Sequence, residues 1–391
     1  MKPALVVYLK ECRESLRDRR VLINTLLLGP LLGPLLFVLL LRLIVNQEIG
    51  RAEQPLPVVV IGAERAPEML AALRQMGLEA RPAVADPELA VREQRIDLAL
   101  RVGSDFGDDW RAGRPAQVEL IFDSSRREAG SSVDRLRGML EAYSRRNGSL
   151  RLLARGLSPL VATPLVVSNH DLATPQSKGA LLFAMLPYML MLTVFIGGLW
   201  LATDSTAGER ERQSLEPLLV NPVPRDRILL GKLLATATFS SSSLLLGLVA
   251  FSVAGRFMPT ERLGMSLALG PAFVASVLPV MLPLVLLFCI AQILVSAFAK
   301  SVREAQTWLG LLQLVPVIPS IVLSVVPVKA ELWMFSVPLL SQQLTIMRLL
   351  RDEPVPLLGV LLGALVTLMA VVGVFLLARR HYGSERLAVS T

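Results

Sequence analysis

The chain has 391 residues, 53% of them hydrophobic and 18% charged, with a mean hydropathy of +0.56 and a formal charge of +8. An average soluble domain is about 25% charged, so this balance disfavours a large soluble enzyme and excludes a disordered or fibrous chain. The two cysteines, Cys12 and Cys289, make neither a disulfide framework nor a CxxC metal or redox motif, and the +8 fits either nucleic acid or an anionic membrane surface until the charges are located.

In chain order, residues 1–20 combine Lys2, Lys10, Arg13, Arg17, Arg19 and Arg20 with a stripe of Leu5, Leu9, Cys12 and Leu16 at helical spacing. That pattern predicts a cytoplasmic amphipathic helix lying in the headgroup layer, apolar face down and basic residues toward anionic lipid. The simpler alternative is a positively charged flank without a defined helix. Residues 21–45 form the first apolar run. Its charged lead is too long for a signal peptide and no small-residue cleavage site follows, so it reads as a retained anchor, transmembrane helix 1.

Residues 46–178 have soluble-domain character, with strand-like and helix-like patterns in turn. Val58 to Ile61 is a β-branched run closed by Gly62, and Pro67 to Met76 is helical, ending at Gly77. Ile96, Leu98, Leu100 and Val102 alternate with polar or small residues, the two-residue period of a half-buried strand, and Val118, Leu120 and Phe122 repeat it. A helix is expected from about Ser132 to Arg155, with Val133, Leu136, Leu140 and Tyr143 on one face. No GxGxxG, GxSxG or metal-spaced histidines occur. His170 reads as a linker residue. Asp105, Asp108 and Asp109 read as a solvated loop, because the EF-hand glycine and glutamate are missing. Asn147-Gly148-Ser149 is either a glycosylation sequon or a helix-ending turn. A partner-binding or gating role is all that this domain suggests.

Five more apolar runs follow, near 179–203, 233–254, 267–298, 307–326 and 355–378, each long enough for the roughly 20 residues that span hydrocarbon. The run 267–298 exceeds the bilayer and contains Pro279 and Pro283, which predicts a kinked or tilted helix. The expected fold is an α-helical integral membrane protein with six transmembrane helices and an α/β extracytoplasmic domain, residues 46–178, inserted between helices 1 and 2. Transmembrane helices 2–6 would occupy 179–378, with a cytoplasmic coupling segment at 204–232 and a cytoplasmic tail at 379–391. Orientation follows from the basic residues: the four short segments on one side carry 16 Lys and Arg, and the two on the other carry 5. The positive-inside rule then puts both termini in the cytoplasm of a bacterial inner membrane protein. The positive balance is an orientation signal, and no nucleic-acid partner is expected.

The inside segment reads Gly208-Glu209-Arg210-Glu211-Arg212-Gln213-Ser214-Leu215-Glu216-Pro217-Leu218-Leu219, stopped by Pro222 and Pro224. Its alternating charges predict a solvated helical end, and its leucines a small apolar face for a cytosolic partner. A juxtamembrane ion-pair cluster is the plainer reading. The stretch resembles the conserved inside segment of ABC-2 type transporter permeases, particularly the sodium-efflux (NatB-like) group. Leu16-Arg17-Asp18-Arg19-Arg20 leading into the first span resembles that family's start, and Pro338-Leu339-Leu340-Ser341-Gln342-Gln343 its outside segment before the last span. One departure is Gln213-Ser214, where the family more usually has Gly-Thr.

The resemblance implies the membrane half of an ATP-binding-cassette exporter, a homodimer or heterodimer of permease copies served by cytoplasmic ATPase subunits. Those subunits would dock on Glu209, Arg210, Glu211, Arg212, Leu215, Glu216, Pro217 and Leu218. No GxxxxGK[ST] occurs, since the only GK, Gly231-Lys232, lacks its context. The chain is therefore expected to be no enzyme itself, to have no catalytic or metal residues and to bind no cofactor, with ATP and Mg held by the partner. The runs hold no acid well inside, which weakens a proton- or sodium-coupled carrier. Thr236, Thr238, Ser240, Ser241, Gln292 and Gln313 are the candidates for a substrate path, helix packing being the plainer role. The cargo would be Na+ or a small amphipathic molecule. The rival readings are a secondary transporter and a membrane-anchored sensor or assembly protein with a ligand-binding outer domain.

Overall fold

Among the residues that the computed structural model describes, which are 2–163, 165, 168, 170–213, 223–258, 260, 264–325 and 329–383, six helices are long and apolar enough to cross a membrane. They run Ile23–Gln47, Leu186–Glu211, Arg225–Gly255, Pro271–Phe298, Val302–Leu323 and Leu357–Tyr382, called spans 1 to 6 below. The chain divides into two compact units, Met1–Val45 with Leu172–Thr391, and Asn46–Asp171.

Local chemistry moves the ends of several spans away from the hydropathy boundaries. Residues 179–182 belong to a separate helix, Pro175–Leu182, capped by Thr174, whose Oγ1 accepts from the Ser177 N–H at 3.0 Å. Span 2 starts afresh at Leu186 with Pro187 in its first turn, where a missing N–H costs nothing. Span 3 begins at Arg225, so the expected linker 225–232 is helix. Span 5 starts behind the Ser301 side chain, which accepts from the Glu304 N–H at 3.2 Å. It breaks after Leu312 and resumes at Val317, because Pro316 offers no donor and excludes the helical conformation before it. In span 1 the helix widens to π geometry over Ile23–Leu32, around Pro30.

Spans 2, 3 and 4 hold most of the buried side chains of this unit, whereas spans 1, 5 and 6 leave leucines such as Leu39, Leu314 and Leu361 exposed. The three central helices approach through small residues. A Cβ on Gly197 would lie 2.7 Å from Ser243 Oγ of span 3, and one on Gly198 would lie 2.6 Å from Gln292 Oε1 of span 4.

The unit Asn46–Asp171 contains a four-stranded sheet, β1 Leu56–Ile61, β2 Leu78–Arg81, β3 Leu98–Val102 and β4 Val118–Phe122, in the order β2-β1-β3-β4. β1 is parallel to both neighbours and β4 antiparallel to β3, with Val59 opposite Ala99 and Leu100 opposite Leu120. Leu73 of the helix Pro67–Gln75 and Val133, Leu136 and Tyr143 of the helix Arg127–Ala154 join Val58, Val60 and Leu100 in one core. β2 escaped the sequence reading because Leu-Glu-Ala-Arg has no β-branched residue; pairing with β1 makes it a strand.

Two expectations here are corrected. Asp108 and Asp109 lie in a helix, Phe106–Arg111, and pair with Arg111 and Arg114, each at 2.8 Å. Asn147-Gly148-Ser149 lies within the long helix, where Asn147 Nδ2 donates to the Tyr143 carbonyl, so it is no helix-ending turn.

Candidate functional site

The Gly-Glu-Arg-Glu-Arg stretch begins where span 2 changes pitch. Its α-helix, Leu186–Thr203, opens into a π turn over Asp204–Gly208 and closes with Glu209–Glu211. The extra residue per turn rotates the following side chains by about a quarter turn relative to an unbroken α-helix. The result corrects the expected solvated end: Glu211, Arg212 and Gln213 are exposed, but Glu209 is buried.

Glu209 is buried because two lysines meet it. Lys232, in the third turn of span 3 and without exposed surface, donates to Glu209 Oε2 at 2.5 Å, to Glu11 Oε1 at 3.4 Å and to the Ser205 carbonyl. Lys10 donates to the other Glu209 oxygen, Oε1, at 2.7 Å and to Glu11 at 3.4 Å. Each carboxylate oxygen of Glu209 thus has its own ammonium, and the near-buried Glu11 balances the second positive charge. Burial pushes the Glu11 carboxyl above its ordinary range against the pull of Lys232 and Lys10. For Lys10, burial acts downward, but the hydrogen bond to Glu209 and the carboxylates of Glu11 and Glu14 outweigh it and raise the pKa.

This cluster locks the helix Lys2–Arg17 onto span 3. Ala4, Val7, Glu11 and Ser15, at three- and four-residue spacing, form its buried face, while Leu5, Val6, Leu9 and Leu16 form an exposed apolar face. Gly231 makes the fit, since a Cβ there would lie 2.7 Å from both the Ala4 carbonyl and Val7 Cβ. The helix therefore has a packed face as well as the apolar stripe that the sequence displays.

The rest of the segment ties further helix ends to the same place. Arg210 Nη1 donates at 3.3 Å to the Ala299 carbonyl, and Glu211 Oε2 accepts from the Val302 N–H at 2.9 Å, at the start of span 5. Ala207, Ala299 and Ala305 pack together there, small enough to let the backbones close. Arg212 pairs with Asp204. Arg225, opening span 3, donates at 2.7 Å to the carbonyl of Tyr382 at the end of span 6. Gln213 sits at φ 55, a left-handed position that suits glycine. Leu215, Glu216, Pro217 and Leu218 lie outside the described residues.

The polar residues of the spans mostly face neighbouring helices. Ser240 Oγ donates at 2.5 Å to the Val194 carbonyl, Gln292 Nε2 at 2.6 Å to Phe195, and Ser243 Oγ at 2.6 Å to Thr25. Thr236 and Thr238 bond back to carbonyls one turn earlier, Lys232 and Leu234, each at 2.9 Å. Ser241 and Gln313 are half-buried. Gln292 Oε1 is buried and has no partner among the described residues. No group of three or more His, Cys, Asp or Glu among the described residues is placed to hold a metal ion.

Sequence reading did not single out Lys232 or Glu11. Both were visible as anomalies: a lysine on the threshold of an apolar run, and an acid in register with Ala4, Val7 and Ser15.

The helix bundle, with a charged N-terminal helix and an interhelical segment joined by buried ion pairs, defines a multi-pass membrane protein whose helix ends are gathered at one polar junction. The model of the ABC-2 family transporter proteins matches residues 5–351, and the chain belongs to that family. It is similar to the ABC transporter permease protein NatB of Bacillus subtilis (strain 168), with 27% identity over 388 residues, covering 97% of this chain and 98% of that protein.

Proposed function

We propose that the chain is the permease subunit of an ABC exporter, moving its cargo out of the cytoplasm with ATP hydrolysed by a separate subunit. The observation that carries this reading is the family match, which takes in the N-terminal helix, the junction and five spans. In this reading both termini and the junction lie in the cytoplasm of a bacterial inner membrane protein, and the unit Asn46–Asp171 lies outside. Glu211, Arg212 and the segment after them face an ATPase subunit, while Glu209 holds that docking element to span 3 and the N-terminal helix. Force applied at the surface then reaches the spans through ion pairs and not through a flexible loop. The exposed apolar faces of spans 1, 5 and 6 meet lipid or a second permease copy. The cargo is Na+ or a small amphipathic molecule. Ser240 and Gln292 reach it only in a state where spans 2, 3 and 4 separate.

The test is co-purification from detergent with the candidate ATPase subunit, then reconstitution and ATP-dependent transport of radioactive Na+ or a fluorescent amphiphile. No bound ATPase and no ATP-dependent transport would reject the reading. Within it, Glu211→Lys reverses an exposed charge and releases the Val302 N–H. Transport per ATP hydrolysed is expected to fall roughly tenfold while the complex still assembles, the size expected for a coupling of about 1–3 kcal/mol; unchanged coupling would remove Glu211 from the contact.

A further inference from the structure

A groove of about 570 Å³ opens where the helix Leu340–Leu350 passes the helix before span 2 and the end of span 5. Its walls are apolar, with Leu181 and Met185 on one side, Leu323 on another, and Met347 on the helix itself. Leu181 and Met185 are mostly exposed, so the groove is open to whatever surrounds the spans.

Three cations share this lining, Lys329, Arg348 and Arg351, with a single carboxylate, Glu353. Their internal contacts are long. Arg351 Nη1 lies 3.8 Å from Glu353 Oε1, and Arg348 Nη1 donates at 3.4 Å to the Pro354 carbonyl with its guanidinium 5.7 Å from the Phe335 ring centre. Lys329 is exposed and makes no ion pair among the described residues. A well-paired arginine would show short, two-pronged geometry; here donor capacity is left over.

These three residues are all the Lys and Arg between residues 327 and 354, and the other short segment expected on that side of the spans holds two, Arg256 and Arg262. Instead of scattering, they share one groove with apolar walls, which is the profile of a two-part ligand with an acidic head and hydrocarbon tails.

We propose that this groove binds an anionic phospholipid, acyl chains along Leu181, Met185 and Leu323 and phosphate between Lys329, Arg348 and Arg351. The phosphate oxygens complete the guanidinium donors, and the tails cover surface that is otherwise exposed. The inference requires a bilayer around spans 2 and 5 and is independent of what the chain transports.

The test uses the full chain in nanodiscs with spin-labelled phosphatidylglycerol or phosphatidylcholine, reading the fraction of motionally restricted lipid. The wild type is expected to prefer phosphatidylglycerol roughly tenfold, the equivalent of about 1.4 kcal/mol. K329Q/R348Q/R351Q is expected to bring that preference close to one, and the charge-conserving R348K/R351K to keep most of it. Should the triple variant fail to fold, the exposed single change K329Q is expected to lower the preference severalfold. Equal retention of the two lipids by the wild type, or a preference unchanged in K329Q and the triple variant, would overturn the proposal. Retention of dodecyl phosphate without any preference for phosphatidylglycerol would assign the groove to a soluble anionic amphiphile and overturn it equally.

Discussion

A lysine without exposed surface persists in a helix bundle only while its partners stay in place. Lys232 is held by Glu209, Glu11 and the Ser205 carbonyl, and removing one member of such a cluster leaves the others buried and uncompensated, at about 3–5 kcal/mol. Lys232→Met is therefore expected to lower stability by about that amount, measured by thermal unfolding in detergent. Lys232→Met/Glu11→Gln is expected to recover part of the loss, because it removes one orphaned charge. A loss below about 1 kcal/mol for the single variant would mean that water reaches the cluster. Lys10→Gln is expected to cost less, since that side chain is 38% exposed and can be replaced by solvent.

At the scale of elements, the junction depends on one close approach. Gly231 lets the helix Lys2–Arg17 lie on span 3, and no other residue leaves space between the Ala4 carbonyl and Val7. Gly231→Val is expected to displace the helix at an overpacking cost of about 1–3 kcal/mol. Cys12 gives the readout, since it is half-buried against Leu201 and Phe239 while Cys289 is fully buried. Maleimide labelling of Cys12 is expected to quicken by about tenfold, the rate equivalent of about 1.4 kcal/mol, with Cys289 unreactive as the internal control. An unchanged Cys12 rate would show that the helix adjusts without leaving. The helix itself was legible, because its leucine stripe repeats at helical spacing. Its second, buried face was not, because Ala4, Val7, Glu11 and Ser15 carry no common hydropathy, and only span 3 makes them a face.

On the scale of the whole molecule, the alternation of spans has a geometric counterpart. The end of span 2, the start of span 3, the start of span 5 and the end of span 6 meet through Glu209–Lys232, Glu211–Val302 and Arg225–Tyr382. An odd or shifted number of crossings would have separated them. The lysine and arginine distribution predicts which side of the membrane this end occupies, and a cysteine at the exposed Ser124 tests that expectation. An impermeant maleimide is expected to label Ser124→Cys in intact cells or spheroplasts; labelling only after lysis would reverse the topology. Hydropathy located all six spans, since hydrocarbon thickness fixes a minimum apolar length. It missed their ends, because proline and cap chemistry at Pro187, Ser301 and Pro316 set those residue by residue.

By itself the sequence determined the membrane class, the six apolar runs, most strands of the inserted unit and, through the Gly208–Arg212 stretch, the resemblance to ABC-2 permeases. These are properties of period and composition, which short-range chemistry writes into the chain. Only the tertiary structure decided that Glu209 turns inward while Glu211 and Arg212 stay out, that Lys232 and Glu11 complete its pairing, and that Ser240 and Gln292 bond across helices. The reason is distance along the chain. Lys10 and Glu209 are 199 residues apart and Glu11 and Lys232 221 apart, and a charge has no buried partner until the fold brings one within hydrogen-bonding reach.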